Sequence, residues 1–590
     1  MSVERLITDN IDVWTSTVKT KSASGRGSSK KIELYGIKKL RELILELAVR
    51  GKLVPQDPND EPASVLLERI AEEKAQLVKE KKIKKPKELA KISEKEIPYI
   101  LPKGWVWSRL GDLVDVSSSK RVHARDYVQT GIPFFRSKEI GELYRGEEIS
   151  TDLYITLEQY NELKELPGAP KLNDILLTSV GSIGNSWICD GRAFYYKDGN
   201  ITKLGSSDLL SMFYLKNFIS SPIFTSQVID KVSGTAYSAL TIVKLNNLLV
   251  PIQSLNEQNR IVAKVDELML LCDQLEQQTE TSIEAHQTLV EVLLNTLTSS
   301  ADAQELMQNW QRISEHFDAL FTTENSIDTL KQTILQLAVM GKLVPQDPND
   351  EPAAKLLERI AEEKAQLIKD KKIKKQKVLP EISEDEKPFD LPSGWEWCRF
   401  GQVFIDLKYG TSKKSDYKTV GTPVLRIPNI VGGKVDLNDI KYSVMSDKEL
   451  FEYKLNKGDL LLIRSNGSLG IVGRSAVVDI ELENTVYAGY LVRARIVPDS
   501  VNSNYLKSTL DSLDVRRQIE GPIRSTSGVK NVNSTELSNL LIPLAPKSEQ
   551  ERINKKVADF HLVCDQLKAR LKESQTTQLH LTDAIIDKAL

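Results

Sequence analysis

The chain has 590 residues, with 80 Lys and Arg against 82 Asp and Glu for a formal charge of −2. Its 40% hydrophobic and 27% charged residues exclude disordered, collagenous and low-complexity classes, and its length predicts several domains. The balanced charge excludes a globally basic nucleic-acid coat but leaves local basic surfaces open.

In chain order, residues 1–100 predict a helical hairpin and linker. Leu40, Leu43, Ile44, Leu47 and Ala48 follow helical spacing, and Gly51 suits a C-cap. Asp60 and Pro62 suit the start of a second helix carrying Val65, Leu66, Ile70 and Leu77. It ends in a lysine run, Lys81 to Lys85, expected to be a solvated helix end. Residues 101–252 predict a first globe of short β-type runs such as DILL (174–177) and helical stretches such as YLKNFISS. Residues 253–300 predict a long coiled-coil helix, with Ile261, Val265, Leu268, Cys272 and Leu275 spaced 4-3-4-3. Residues 301–390 repeat the hairpin, and 391–545 form a second globe with DLLLI (459–463) and NYLKSTLDSL. Residues 546–590 give a second long helix with Ile553, Val557, Phe560, Cys564 and Leu567 on its seam. The heptad register runs on through Leu289 and Leu293, and through Leu581 and Ile585, and it puts His286 on the seam as a polar core position. A helix of about 40 residues spans roughly 60 Å. Two such helices, each following a globe, are expected to pack antiparallel.

The chain is therefore a tandem duplication. GKLVPQDPNDEPA (51–63) recurs unchanged at 341–353, LLERIAEEKAQL (66–77) at 356–367 and KKIKK at 371–375. LPKGWVW (101–107) is echoed by LPSGWEW (391–397), and NNLLVPIQSLNEQNRI (246–261) by SNLLIPLAPKSEQERI (538–553). The hairpins and coils stay nearly identical while the globes diverge. The expected fold is α+β and multidomain: two α/β globes in a tandem pseudo-two-fold repeat, with helical hairpins and two long antiparallel coiled-coil helices. A frame copied twice with unlike inserts suggests two related readers of two different things.

The chemistry of enzymes is missing from the pattern. There is no Walker A run, no GxGxxG after a strand and no NPPY-like or DPPY-like tetrapeptide, and five histidines show no metal-ligand spacing. No catalytic, cofactor or metal residue is assigned. The four cysteines (Cys189, Cys272, Cys398, Cys564) lie far apart without a CxxC pair, which fits a reducing cytosol. No window approaches a membrane span, and the first ten residues lack an apolar signal core.

Candidate DNA contacts cluster at corresponding places in the globes. In the first they are Ser118, Ser119, Lys120, Arg121, Arg136, Lys138, Thr178, Ser179 and Ser182. In the second they are Tyr409, Thr411, Ser412, Lys413, Lys414, Arg426, Asn429, Arg464, Ser465, Asn466, Ser468, Arg524 and Ser525. Arg and Asn can read guanine and adenine in the major groove, while Lys, Ser and backbone amides hold phosphates. Gly181, Gly184, Gly467 and Gly470 would let backbone approach DNA closely. Ordinary β-turns with solvated charges would use the same residues.

The insert-plus-coil plan, the LPxGWxW starts at 101 and 391, the GDLLLIRSNGSLG stretch from Gly458 and the IPLAPKSEQERI run ending at Ile553 resemble the specificity subunit of type I restriction–modification enzymes. The repeated LxLAVxGKLVPQDPNDEPA hairpin looks like its IB-type branch. The resemblance implies that each globe is a target recognition domain reading one half of a split, asymmetric site in double-stranded DNA. It implies that the coils set the unread spacer and that the subunit is not itself catalytic. Two modification subunits would bring S-adenosylmethionine for adenine N6 methylation, and two restriction subunits would bring ATP and Mg²⁺. It also implies a cytoplasmic protein of bacteria or archaea, nucleoid-associated when on DNA. A coiled-coil adaptor for proteins, or a standalone DNA-modifying enzyme with an unrecognised site, stays open at this point.

Overall fold

The computed structural model describes residues 3–21, 31–232, 239–521, 525–526 and 529–590. These fall into two compact units, one of residues 1–19, 32–280 and 577–590, the other of 20–31 and 281–576. Each unit holds a hairpin, a globe, the first part of the long helix that follows that globe and the last part of the other long helix.

In the first unit, helix α1 (Tyr35–Val49) buries Leu40, Leu43, Ile44, Leu47 and Ala48, the face its spacing predicts. Gly51 ends it in a left-handed conformation, φ +69°, and a Cβ there would lie 2.6 Å from Pro102 Cγ. Glycine is thus required twice over, by conformation and by close approach. Helix α2 (Ala63–Lys79) starts after Pro62 without a side-chain cap. Asp60 does not cap it; its carboxylate accepts from Arg260 Nη2 at 2.6 Å instead. Val65, expected on the apolar face, is 41% exposed, and Lys355 stands at its repeat position.

The globe departs from the frame and returns to it through one two-stranded ribbon, Val106–Arg109 antiparallel with Leu249–Ile252. Inside it, an antiparallel sheet runs in the order Val116–Ser117, Ile201–Leu204, Ile175–Thr178, Ser186–Ile188. A smaller sheet places Ile132–Phe135 between Tyr154–Ile155 and Tyr195–Tyr196. Ile175–Thr178 is buried at every position, so it reads as a continuous apolar run rather than an alternating one. The stretch YLKNFISS lies largely in a helix, Met212–Ile219.

The second unit repeats this plan. Helices α4 (Glu324–Val339) and α5 (Ala353–Lys369) form its hairpin, after α3 (Leu255–Ser299) from the first long segment. Glu396–Arg399 pairs with Leu541–Leu544. The main sheet runs Phe404–Tyr409, Leu491–Ile496, Leu460–Ile463, Ser475–Val477. Thr422–Leu425 lies between Lys441–Ser443 and Val486–Tyr487. One addition, Ser465–Asn466 with Val529–Asn531 and Ser525–Thr526, is described for this globe alone. A single buried cluster joins globe (Leu460, Val492), hairpin (Leu330, Ile334) and the long helix α6 (Lys547–Ala589; Ile553, Val557, Cys564).

The hydrogen bonds are duplicated as faithfully as the sequence. Trp105 Nε1 donates to Glu257 at 3.1 Å and Trp395 Nε1 to Glu549 at 3.0 Å, each glutamate in the first turn of a long helix. Arg552 pairs with Asp350 as Arg260 does with Asp60. Arg109 and Arg399, both buried, tie the linkers down: they donate to the carbonyls of Ala90 and Lys91, and of Pro380 and Glu381. They also pair with Glu96 and Glu386 and reach the ribbon end at Asn247 and Asn539. The stretch 83–100 is thus extended but fastened. The amide and hydroxyl of Ser93, with Arg109, hold the Glu96 carboxyl down at about 2.

The seam residues Ile261, Val265, Leu268, Cys272, Ile553, Val557 and Cys564 are buried, and Leu275, Phe560 and Leu567 half-buried. Beyond them the heptad reading fails. Leu289 and Leu581 are exposed and Leu293 and Ile585 only half-buried, while the buried positions are Val290, Leu294 and Leu297, and Thr582. Both Cys272 to Val290 and Cys564 to Thr582 are 18 residues, about five turns of a straight helix. Over the polar middle the helices keep the 3.6 period, and the 3.5 register drifts off the buried face. His286 consequently sits half-exposed, its ring 3.1 Å from the Ala319 carbonyl, and not in a core.

Burial raises the Glu549 carboxyl above its ordinary 4.5, against hydrogen bonds from Trp395 and Gln346 that favour the anion. A raised folded pKa means that this group costs stability as pH climbs from 4.5 through the folded value. Glu549→Gln, which keeps an acceptor for Trp395, is expected to match or exceed the parent stability at pH 7 and to lose that part of the pH dependence. Glu549→Ala leaves the indole N–H unpaired and is expected to cost about 1–3 kcal/mol. Urea denaturation of both variants from pH 4 upward checks the pair.

Candidate nucleic-acid interface

In the first globe, the loop after Val116–Ser117 is fastened to the segment following Tyr195–Tyr196. Ser119 is buried and donates to the Tyr196 carbonyl at 2.8 Å, and Lys120 N donates to Tyr195 Oη at 3.0 Å. Ser118 Oγ accepts from Gly199 N, and Arg121 pairs with Asp198 at 2.9 Å while staying mostly exposed. Lys120 is exposed and has no ion pair among the described residues. The neighbouring turn starts at Thr178, whose buried hydroxyl donates to the Ser182 carbonyl, and Ser179, whose buried hydroxyl meets Thr202 at 2.7 Å. Ser182 itself is exposed, between Gly181 and Gly184 in left-handed conformations.

Arg136 and Arg426 occupy equivalent corners and do equivalent work. Each backbone N–H donates to a side chain three residues on, Glu139 at 2.7 Å and Asn429 at 2.8 Å. Each guanidinium then takes an aspartate, Asp152 at 2.6 Å and Asp439 at 2.8 Å. Lys138 donates to the Ser150 carbonyl at 2.7 Å. Asn429 is buried, its amide donating to the carbonyls of Asp436 and Asp439.

In the second globe, Thr411 is buried and caps its own loop by accepting from Lys413 N. Ser412 and Lys414 are exposed, while Lys413 is committed to Glu449 at 2.7 Å. That lysine, with the amide and hydroxyl of Ser446, holds the Glu449 carboxyl down at about 2, so the pair stays ionised at neutral pH. Arg464 differs from Arg121, Arg136 and Arg426. Its guanidinium lies 4.3 Å from the Tyr409 ring centroid and has no carboxylate among the described residues. Tyr409 Oη accepts from Ser534 N at 2.9 Å, which holds the stacking platform still. Ser465 is buried, Asn466 pairs in register with Lys530, and Asn466 Oδ1 accepts from the half-buried Ser468 N–H. Arg524 lies outside the described residues, and Ser525 is described only as the start of a short strand. Gly467 and Gly470 do not take the left-handed conformation of Gly181 and Gly184.

The candidates therefore divide. Ser119, Thr178, Ser179, Thr411, Asn429 and Ser465 are enclosed by the fold, so in this state their side chains shape loops and cannot meet a base. Arg136, Lys138, Lys413 and Arg426 carry internal partners. Lys120, Ser182, Ser412 and Lys414 are exposed, and Asn466, Ser468 and Arg464 are half-buried with part of each side chain still accessible. Sequence reasoning passed over Tyr490, 63% exposed, whose carbonyl accepts from Arg464 N. It also passed over Tyr417, 61% exposed, with Lys441 4.8 Å and Arg426 5.8 Å from its ring. An exposed aromatic beside cations is a surface on which a base or a guanidinium can stack. The signal available was the tyrosine after AG in YAGY (487–490) and after SD at 415–416. Among the described residues no group of three or more His, Cys, Asp or Glu could hold a metal ion, and no helix is long and apolar enough to cross a membrane.

A family model described as the type I restriction modification DNA specificity domain matches residues 102–285 and 392–574. The chain is 43% identical to the type I restriction enzyme EcoAI specificity subunit of Escherichia coli, with all of both chains covered. It is 42% identical to the EcoEI specificity subunit of the same species, again over both full lengths. A solved chain from work on complex assembly and conformational transition of the type I R-M system aligns with TM-score 0.50 at 19% identity, covering 83% of this chain and 99% of that one.

The division of the candidates is open to measurement. Asn429→Ala strands the Arg426 N–H and two carbonyls, and is expected to cost about 1–3 kcal/mol of stability. Arg464→Ala removes no internal hydrogen bond, only the stack on Tyr409, and is expected to cost at most about 1 kcal/mol. Equal destabilisation by the two would show that Arg464 is part of the frame.

Proposed function

The chain belongs to the family of type I restriction–modification DNA specificity subunits and carries two target recognition domains, and from that premise we propose that each domain reads one half of an asymmetric, two-part DNA target. The observation that carries the reading is a contrast at one place in a shared frame. Ser179 and Arg464 each follow a buried strand and donate a backbone N–H to the residue before a second strand, Asn200 and Tyr490. The side chain there is an enclosed hydroxyl in the first globe and, in the second, a guanidinium stacked on Tyr409. Identical frames with unlike side chains at the same loop are what two different half-sites require.

In this reading the chain recognises and its partners react. The near-identical hairpins and helix roots offer two equivalent surfaces, which suits two copies of one modification subunit. Those subunits would bind S-adenosylmethionine and flip an adenine for N6 methylation. Restriction subunits joining through them would bring ATP and Mg²⁺. The chain's own net charge of −2 favours sharing phosphate contacts with these partners. The long helices, fixed at their roots by Trp105–Glu257 and Trp395–Glu549, would set the unread spacer.

Replacing residues 391–545 by the second globe of a relative is expected to change one half of the methylated sequence and to leave the other intact. Methylation mapping of the reconstituted complex reads this, and a change in both halves rules out modular recognition. Arg464→Ala is expected to relax discrimination at one base pair by about 1–3 kcal/mol. A uniform weakening on every sequence would make Arg464 a phosphate contact.

A further inference from the structure

The lysines after α5 are exposed, as a solvated run is expected to be, but the segment that carries them is fastened to the globe. Residues 372–380 lie along the strand Phe404–Tyr409, with Gln376 Nε2 donating to the carbonyls of Phe404 at 3.3 Å and Ile405 at 3.2 Å. Between them and the helix Asp447–Tyr453 runs an open groove of about 1310 Å³. Nine cationic side chains line it: Lys372, Lys374, Lys375, Lys377, Lys408, Lys448 and Lys454 with Arg493 and Arg495. Only two acids do, Asp406 and Glu452.

The acids pair with specific partners and leave the rest free. Asp406 takes the buried Arg493, Glu452 takes Lys408 at 2.8 Å, and Asp459 beneath takes Arg495 at 2.7 Å. Lys372 has only a long contact with Asp370, 3.6 Å. Lys374, Lys375, Lys377, Lys448 and Lys454 are exposed, and none has an ion pair among the described residues. In a chain of net charge −2, unpaired cations gathered along one groove are a local field that attracts a polyanion.

The groove's position selects the polyanion. It is lined by Phe404 to Lys408 and by Ser534. The next residue of that strand is Tyr409, the Arg464 platform, and Ser534 N is its hydrogen-bond donor. Groove and platform thus adjoin at Ser534. The first repeat keeps lysines at four of these places, Lys84, Lys85, Lys87 and Lys164, but Glu158 stands where Lys448 does and Gly205 where Arg495 does. Pro86 replaces Gln376, so the run there has no side chain to fasten it in the same way.

We propose that this groove holds the phosphate backbone of the duplex flanking the half-site read by the second domain, with Lys374, Lys375, Lys377, Lys448 and Lys454 as sequence-independent contacts. The inference rests on the proposed DNA-reading function and deepens it, by naming the side chains that hold the backbone beside the second domain.

The test is the full chain, assembled with its modification subunits, on a linear duplex of mixed sequence and on one carrying the methylated target. The variant is Lys374→Ala, Lys375→Ala, Lys377→Ala and Lys448→Ala together, all surface changes. Binding to both duplexes is expected to weaken by the same factor. The slope of log affinity against log salt should become shallower by roughly 0.9 for each phosphate no longer neutralised, about 3 to 4 in all. Amine-reactive labelling should show these lysines protected when duplex is added. An unchanged salt slope with unprotected lysines overturns the groove, and so does loss of assembly with DNA binding intact, which would assign it to an acidic segment of a protein partner. If the unaltered complex itself binds no DNA, the proposed function falls, and the outcome is distinguishable from failure of the groove alone.

Discussion

Each half of this protein is built on one contact: a buried indole N–H bonded to a glutamate in the first turn of a long helix. Trp105 and Glu257, and Trp395 and Glu549, bring together three parts of the chain that are remote in sequence. The tryptophan stands where the globe begins, the glutamate where the helix begins, and Gly51 or Gly341 packs a hairpin end against the same ring. Burial opposes the charge on each glutamate, while the N-terminal end of the helix and the indole favour it. A polar contact in such a place holds direction as well as energy. It aims a helix of 45 or 43 residues from a root that can sit in only one way.

Around that root the frame leaves little free. Gln227 and Gln518 cover the ribbon edges by bonding both the N–H and the carbonyl of Leu249 and Leu541, as another strand would. Gln258 and Gln550 each accept from the N-terminal region of a globe helix. Every one of these groups would be costly unpaired in a buried setting. The frame therefore tolerates little drift, and the exposed loops of the globes, where no such requirement applies, are free to diverge. Physical constraint and sequence identity follow the same boundary.

The candidate site was legible in location and poorly legible in detail. Loops at 117–121, 178–184, 409–414 and 464–470 were identifiable because small, hydroxyl and cationic residues cluster at matching places. Residue type could not say which side chains the fold consumes. Asn429 and Arg464 look equally fit for bases in sequence, yet Asn429 satisfies a turn from inside and Arg464 stands on an aromatic platform. Tyr490 and Tyr417 were passed over because a tyrosine's exposure depends on what packs beside it. The lysine run at 371–375 is solvated as its composition suggests, and only the strand it lies along makes it one wall of a groove.

The sequence by itself determined the duplication, the order of hairpin, globe and long helix, the apolar face of α1, and the seam from Ile261 to Cys272 and from Ile553 to Cys564. Those features rest on local periodicity and on repetition, which a linear string records in full. Tertiary structure decided the register beyond the polar middle, where Val290 and Thr582 replace the heptad positions, the fate of each polar loop residue, and the field of the second globe's groove. These depend on which distant groups come within hydrogen-bonding or Coulombic reach, and that distance exists only once the chain has folded.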